Sequence, residues 1–215
     1  LPLLAGHLHL VFQSAQATDF VGVTHQALDA LGLEETPTDL ALYLDYNIQH
    51  LLVDEFQDTS LQQFELIKCL VRGFEPGDGR TLFVVGDPMQ SIYRFRAAEV
   101  GLFLRAQLDG IGDVQLEPLY LEANFRSNAP LVQWINQYFT DIFPQFDDLE
   151  SGAVSFHPSA PTQAADNTVI KAFSYLDATL EASAIADLCQ QLHIQHPEET
   201  IAILVRSRNQ LPAIT

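Results

Sequence analysis

Leu51-Leu52-Val53 runs straight into the adjacent carboxylates Asp54-Glu55, and a polar helix start follows at Phe56-Gln57-Asp58-Thr59-Ser60. A short apolar run bounded by polar residues reads as a buried strand. Its end delivers Asp54 and Glu55 to the edge of a sheet, where open α/β folds bind ligands. An Asp-Glu pair at such an edge suits nucleotide hydrolysis: one carboxylate can hold Mg²⁺, and the other can orient or deprotonate an attacking water. A solvated acidic loop after an ordinary strand would carry the same two residues.

The surrounding pattern places that strand in an alternating series. Residues 1–32 read as helical with a break near Ala17-Thr18-Asp19; Asp19 caps the second half, Val23, Leu28 and Leu31 form its apolar stripe, and Gly32 ends it. Thr36-Pro37 opens a helix carrying Leu40, Leu42 and Tyr43, with Pro in its first turn. Ser60 and Gln63 have capping-box spacing for a third helix, with Leu61, Phe64, Ile67, Leu70 and Val71 on one face and Gly73 as its stop. A turn at Glu75-Pro76-Gly77-Asp78-Gly79 leads to a strand at 81–85, and a helix follows over about 97–108. Further on, the sequence predicts a strand over 114–121 edged by Pro118, and a helix capped by Asn128 with Leu131, Ile135 and Tyr138 on one face. Residues 144–167, rich in Pro, Ser, Gly and Asp, read as a long surface connection. Then come a strand at 169–173, a helix with Leu180, Ala184, Leu188 and Leu192 on one face, and a central strand at 201–205. Strands alternating with helices imply parallel sheets of the α/β class, here with a division near 119–124.

Composition narrows the class further. With 47% hydrophobic and 18% charged residues the chain is globular rather than disordered. No apolar run approaches the roughly 20 residues that span a bilayer, and the start lacks the basic region of a signal peptide, so no membrane partner is expected. The chain has no initiator Met and reads as a piece of something longer. Cys69 and Cys189 each sit in an apolar helical pattern, which predicts buried free thiols and a reducing, cytoplasmic setting. The pairs His7/His9 and His193/His196 lack the further ligands of a zinc site. A net charge of −18 argues against a general nucleic-acid-coating surface, but several of the ten basic residues fall inside motifs: Arg94, Arg96, Arg126, Arg206 and Arg208. A narrow track for DNA is compatible with both facts.

Two further stretches carry chemistry. In Val85-Gly86-Asp87-Pro88-Met89-Gln90-Ser91-Ile92-Tyr93-Arg94-Phe95-Arg96 a strand ends in a small-residue turn, followed by a neutral amide, two aromatics and two arginines. Gln90 can hydrogen-bond a phosphate oxygen or a catalytic water without adding charge. Tyr93 and Phe95 can stack on nucleobases and Arg96 can hold a phosphate; equally, the aromatics could be core and the arginines a solvated rim. In Leu119-Tyr120-Leu121-Glu122-Ala123-Asn124-Phe125-Arg126-Ser127-Asn128 a strand gives way to a polar turn and a helix start. Arg126 could neutralise charge developing on a transferred phosphoryl group, and Phe125 could pack on a purine; an Arg paired with a local carboxylate is the plainer reading.

Together these stretches resemble the UvrD/Rep group of superfamily 1 DNA helicases. Val53-Asp54-Glu55-Phe56-Gln57-Asp58-Thr59 is similar to the Walker B element, motif II. The stretch from Val85 to Arg96 is similar to motif III, and Asn124-Phe125-Arg126-Ser127 to motif IV. Ile201-Ala202-Ile203-Leu204-Val205-Arg206-Ser207-Arg208 resembles the strand before the family's next insertion. The Gly-Asp-Pro and Tyr-Arg-Phe-Arg wording stands nearest to the RecB/AddA branch, the exodeoxyribonuclease V beta-like group.

The resemblance implies parts of two RecA-like motor domains of the P-loop NTPase type. Residues 1–118 would be the later part of the first, with the tail of an inserted helical subdomain at 1–17, and residues 119–215 the early part of the second. It implies ATP and Mg²⁺ as cofactors. Asp54 and Glu55 would lie at the metal, with Glu55 activating water. Gln90 would contact the γ-phosphate, and Arg126 would act as the arginine finger. Phe125 would stack on adenine, where the family usually has Tyr. Tyr93, Phe95 and Arg96 would touch single-stranded DNA. It further implies 3′ to 5′ translocation, unwinding of partly duplex DNA in repair or recombination, a second protein in a RecBCD- or AddAB-like complex, and a bacterial, nucleoid-associated location.

Some parts of that machinery are missing from the sequence. The only lysines, Lys68 and Lys171, follow no glycine-rich turn, so the phosphate cradle of Walker A is absent, as are motifs V and VI and any nuclease pattern. These residues alone are therefore expected to hydrolyse ATP poorly or not at all. Two other readings compete: a catalytically inactive DNA-binding or scaffold module, and a nuclease using Asp54, Glu55, Asp58 and Asp87 as a two-metal cluster. The nuclease reading leaves Gln90, Arg126 and the Ser91–Arg96 stretch unexplained.

Overall fold

A computed structural model describes residues 2–32, 37–93, 99–164 and 170–214. They group into two compact units, 1–166 and 167–215.

The first unit opens with α1 (Pro2–Ala15), α2 (Phe20–Leu31) and α3 (Asp39–Asn47). Asp19 caps α2 by accepting the Gly22 N–H at 2.7 Å, and the Gly32 N–H closes it on the Leu28 and Asp29 carbonyls. Leu28 and Leu31 are buried, while Val23 of the expected stripe is exposed. Thr38, rather than Thr36, caps α3 through the Ala41 N–H; Pro37 thus precedes the helix, and Thr36 lies outside the described residues.

β1 (His50–Val53) and β2 (Thr81–Val84) pair in parallel, from His50 opposite Thr81 to Val53 opposite Val84. Between them runs α4 (Leu61–Leu70), opened by the expected Ser60/Gln63 capping box. α5 (Val100–Asp109) follows. Leu51, Val53, Leu82 and Val84 pack against a core of Phe56, Ile67, Val71, Phe74, Ala106 and Ile111. The opposite face leaves Leu52 and Phe83 exposed.

α4 ends at Val71, and Gly73 serves another purpose than stopping the helix. A Cβ at Gly73 would lie 2.2 Å from Asp45 Oδ1. That same oxygen accepts from Arg80 Nη1 at 2.7 Å, while Arg80 Nε bonds Asp78 at 2.6 Å and the guanidinium lies 4.7 Å from the Phe74 ring centre. Backbone N–H groups of Glu75 and Arg80, with the Arg80 side chain, hold the Asp78 carboxyl down at a pKa of about 2. This cluster fastens the entry end of the sheet, leaving the exit end to the motifs.

Residues 114–121 do not form the expected strand. Val114 closes a tight turn on Ile111, and the rest is irregular, in keeping with the N–H that Pro118 lacks. The strand comes later. β3 (Ala123–Asn128) takes up residues expected as a polar turn. β4 (Ala160–Gln163) arises within the expected surface connection and pairs with β3 in parallel, Ala123 opposite Ala160. Side chains support this irregular ladder: Thr162 Oγ1 donates to the Asn124 carbonyl and Gln163 Nε2 to that of Phe125. From α6 (Ala129–Ile142), Asn136 binds both the carbonyl and the N–H of Ser159. Asn128 stands at the N-cap of α6 without a side-chain cap bond.

The second unit holds α7 (Ala178–Gln195), capped by Asp177, and the short α8 (Leu211–Ile214). Ala182 is its buried contact, whereas Leu180 and Leu188 of the expected face are exposed. Residues 170–173 and 201–205 run without ladder partners among the described residues, so the strands expected there are not formed; Val169 lies outside them. Cys69 and Cys189 are free and half-buried. No helix among the described residues is long and apolar enough to cross a membrane.

Candidate active site

The exit ends of β1 and β2 set the site. Beyond the strands the ladder continues: the Val85 N–H donates to the Val53 carbonyl at 2.8 Å, and the Phe56 N–H to the Val85 carbonyl at 3.0 Å. Asp54 and Glu55 therefore stand directly beside Gly86 and Asp87. Glu55 adopts a left-handed backbone, φ 53° and ψ 38°, unusual for a residue with a Cβ and costing roughly 1–2 kcal/mol. Three things hold it there. Its N–H donates to Asp54 Oδ1 at 2.9 Å. Phe56, next in sequence, is buried against Phe64 and Phe103 with ring centres 6.2 and 6.0 Å away. The third is Gln57.

Gln57 is 2% exposed. Its Nε2 donates to Glu55 Oε2 at 2.6 Å, and its Oε1 accepts the Asp87 N–H at 3.0 Å. Its backbone carbonyl accepts from Ser91 Oγ at 3.3 Å. One side chain thus joins the acidic loop after β1 to the loop after β2. In sequence Gln57 stands within the acidic motif with no role of its own; a polar amide in an otherwise apolar-to-acidic transition is the only local signal.

Asp87 caps a 3₁₀ turn, Pro88–Gln90, accepting the Met89 N–H at 3.0 Å on Oδ1 and Gln90 Nε2 at 2.7 Å on Oδ2. Gln90 is exposed, and an amide nitrogen carries two protons, so its second N–H is left to a phosphate or water. Asp58 makes its contact at 3.5 Å with Ser91 Oγ. Asp54 and Glu55 are exposed, and each has one carboxylate oxygen engaged by the bonds above. Two hard oxygen donors suit Mg²⁺, which is commonly held by one or two carboxylates plus substrate phosphates; no group of three metal-binding side chains gathers among the described residues.

Tyr93 is half-buried, and Phe95 and Arg96 lie outside the described residues, as does Arg94. Phe125 and Arg126 are exposed on β3. Asn124 Oδ1 accepts the Arg126 and Ser127 N–H groups at 3.0 and 2.9 Å, fixing the backbone there. Among the described residues Arg126 has no ion-pair partner, so the local salt bridge that the sequence left open is not formed. Nor does a hydrogen bond join it to Asp54, Glu55 or Gln90. The link between the two stretches is indirect: the His157 N–H lies 3.5 Å from Met89 Sδ, His157 stacks on Tyr120, and the chain leads on from there into β4 beside β3.

Residues 5–110 match the family described as UvrD/REP helicase N-terminal domain, a span that includes Asp54, Glu55, Gln57 and Gln90. The ATP-dependent helicase/nuclease AddA of Staphylococcus carnosus is 39% identical over 132 residues, covering 59% of this chain and 10% of that protein. The protein of the same name from Desulfitobacterium hafniense is 41% identical over 133 residues, covering 59% and 9%. That of Lysinibacillus sphaericus is 38% identical over 151 residues, covering 66% and 12%. The chain spans about a tenth of the length of the curated relatives it matches. With the motif-bearing sheet inside the family match and these relatives beside it, the chain belongs to the UvrD/REP helicase family, related to the ATP-dependent helicase/nuclease AddA.

Proposed function

We propose that this chain is part of an ATP-driven DNA helicase that couples hydrolysis to 3′ to 5′ movement on single-stranded DNA and unwinding of duplex in repair or recombination. The observation that supports it best is the Gln57 bridge. It brings Asp54-Glu55 and Asp87-Gln90 together at the exit ends of adjacent parallel strands, the place where an open α/β sheet takes a nucleotide. The names of the relatives join ATP, helicase and nuclease, and describe one component of an assembly, which fits a complex of the RecBCD or AddAB kind.

In this reading residues 1–118 belong to the first RecA-like domain and residues 119–215 to the second, with 1–17 the tail of an inserted subdomain. Mg²⁺ held at Asp54 and Glu55 would supply charge neutralisation at the phosphates. Glu55 keeps one carboxylate oxygen for the proton of an attacking water. Gln90 offers its second N–H to the γ-phosphate while the first stays on Asp87. Arg126, without an ion-pair partner among the described residues, answers the charge that develops on the phosphoryl group, with Phe125 exposed beside it to stack on the base. Tyr93, Phe95 and Arg96 take the single strand. Closure around ATP and opening after hydrolysis would then move the strand-binding residues. The phosphate cradle must come from residues beyond these 215, so the isolated segment is inactive in this scheme.

The test is ATP hydrolysis by the full-length protein with and without single-stranded DNA, beside Glu55→Gln. Stimulation by DNA, lost in the variant while nucleotide binding survives, is the expected outcome. DNA binding without hydrolysis in the wild type would overturn the motor reading in favour of an inactive binding or scaffold module.

A further inference from the structure

We infer that Gln57 is a positioning residue for hydrolysis: it aims the carboxylate of Glu55 and locks it to the loop that carries Gln90. The inference deepens the motor reading and rests on it. Three observations support it, and none depends on the others.

The first is the orientation of the amide. Nε2 faces a carboxylate and Oε1 faces a backbone N–H, at 2.6 and 3.0 Å. Flipping the amide would set oxygen against oxygen and N–H against N–H, so the neighbours determine which atom is which. The second is burial. At 2% exposure the side chain has no water to fall back on, and each end has one partner from a different loop. The third is the space around it. A Cβ on Gly86 would lie 2.5 Å from Gln57 Oε1, 3.0 Å from Phe103 Cε2 and 3.1 Å from the Phe56 nitrogen. The backbone of the second loop thus comes as close to the amide as a residue without a side chain permits.

The chemical consequence concerns Glu55. Its backbone is in the left-handed region, and with Oε2 held by Gln57 the remaining oxygen, Oε1, has one direction left for a proton. Because the same amide holds the Asp87 N–H, and Asp87 holds Gln90, a displacement of Gln90 on meeting phosphate reaches Glu55 through two hydrogen-bonded side chains. Gln57 need touch neither nucleotide nor water to matter.

The experiment uses the full-length protein with saturating single-stranded DNA. Hydrolysis is normalised to the number of sites that bind a fluorescent ATP analogue, so that unfolded molecules do not count. For Gln57→Ala the expected result is a fall in rate per binding site of roughly 10- to 100-fold, the size seen when an outer-shell partner of a functional group is lost, with KM for ATP changed less than about threefold. A paired variant guards against simple misfolding. Gln57→Glu sets two carboxylates face to face and should lower the thermal midpoint. Adding Glu55→Gln restores a carboxylate–amide pair with its polarity reversed, and should return the midpoint towards wild type while hydrolysis stays lost. Wild-type rates per site in Gln57→Ala, or loss of rate only in proportion to loss of binding sites, overturn the inference while leaving the motor reading intact. No recovery of the midpoint in the swapped pair also overturns it. Absence of hydrolysis in the wild type overturns the motor reading and this inference together.

Discussion

Replacing Gly86 with Ala tests how rigidly the two loops are joined. The added Cβ would lie 2.5 Å from Gln57 Oε1, where ordinary contact begins at 3.4 Å, a deficit of about 0.9 Å. Phe103 and the Phe56 nitrogen close the other sides, so the amide oxygen is the atom that must move. Overpacking of this kind costs about 1–3 kcal/mol. Losing the bond to the Asp87 N–H adds about 1 kcal/mol, and the stiffer unfolded chain returns about 0.4–1 kcal/mol. The net expectation is a local destabilisation of about 1–3 kcal/mol. In hydrogen exchange of the full-length protein, that is about 5- to 150-fold faster exchange in peptides spanning 50–60 and 81–93. The mechanism makes a sharper demand in the background of Gln57→Ala. There the obstructing oxygen is gone, and Gly86→Ala should add less than about 0.5 kcal/mol. Effects of the two substitutions that add to within about 0.5 kcal/mol would refute the idea that they act through one contact.

Two further outcomes follow from other parts of the molecule. Asp78, with its pKa lowered to about 2 from 3.8, contributes stability that is complete above pH 3.8 and lost as pH falls towards 2; acid unfolding followed by circular dichroism should show a shallower dependence on pH over that window in Asp78→Asn. Arg126→Ala should cut DNA-stimulated hydrolysis by roughly 10³-fold or more if the side chain serves as an arginine finger. Exchange of the β3 peptide should stay unchanged, because Asn124 holds the backbone there without the guanidinium; a rate within tenfold of wild type counts against the role.

What the sequence disclosed about this fold was local. Asp19, Gly32, Ser60 and Gln63 mark helix ends because a cap is a bond between residues three or four apart, and β1 and β2 are short apolar runs between such signals. What it concealed was long-range. β4 is Ala-Pro-Thr-Gln, which has little strand character; it pairs because Thr162, Gln163 and Asn136 reach partners many residues away. Conversely, residues 201–205 are fully apolar and still lack a ladder, since strand propensity acts only when a neighbouring strand is at hand. The candidate site divides the same way. Asp54, Glu55 and Gln90 were legible from residue type at a strand end, whereas the use of Gln57 depends on a contact thirty positions away in sequence, with Asp87.

The parallel register of β1 and β2 has a consequence for how such a chain can change over time. Because the ladder, and not the intervening segment, fixes where Glu55 stands relative to Asp87, the length of the path between the strands is a free variable. The turn at Gly77 and Gly79 sits at the entry end of the sheet, far from the carboxylates, and an added side chain at either glycine would meet open space. A domain inserted there could be gained or lost by a lineage, or grafted in the laboratory, with the spacing of the reactive groups left as it was.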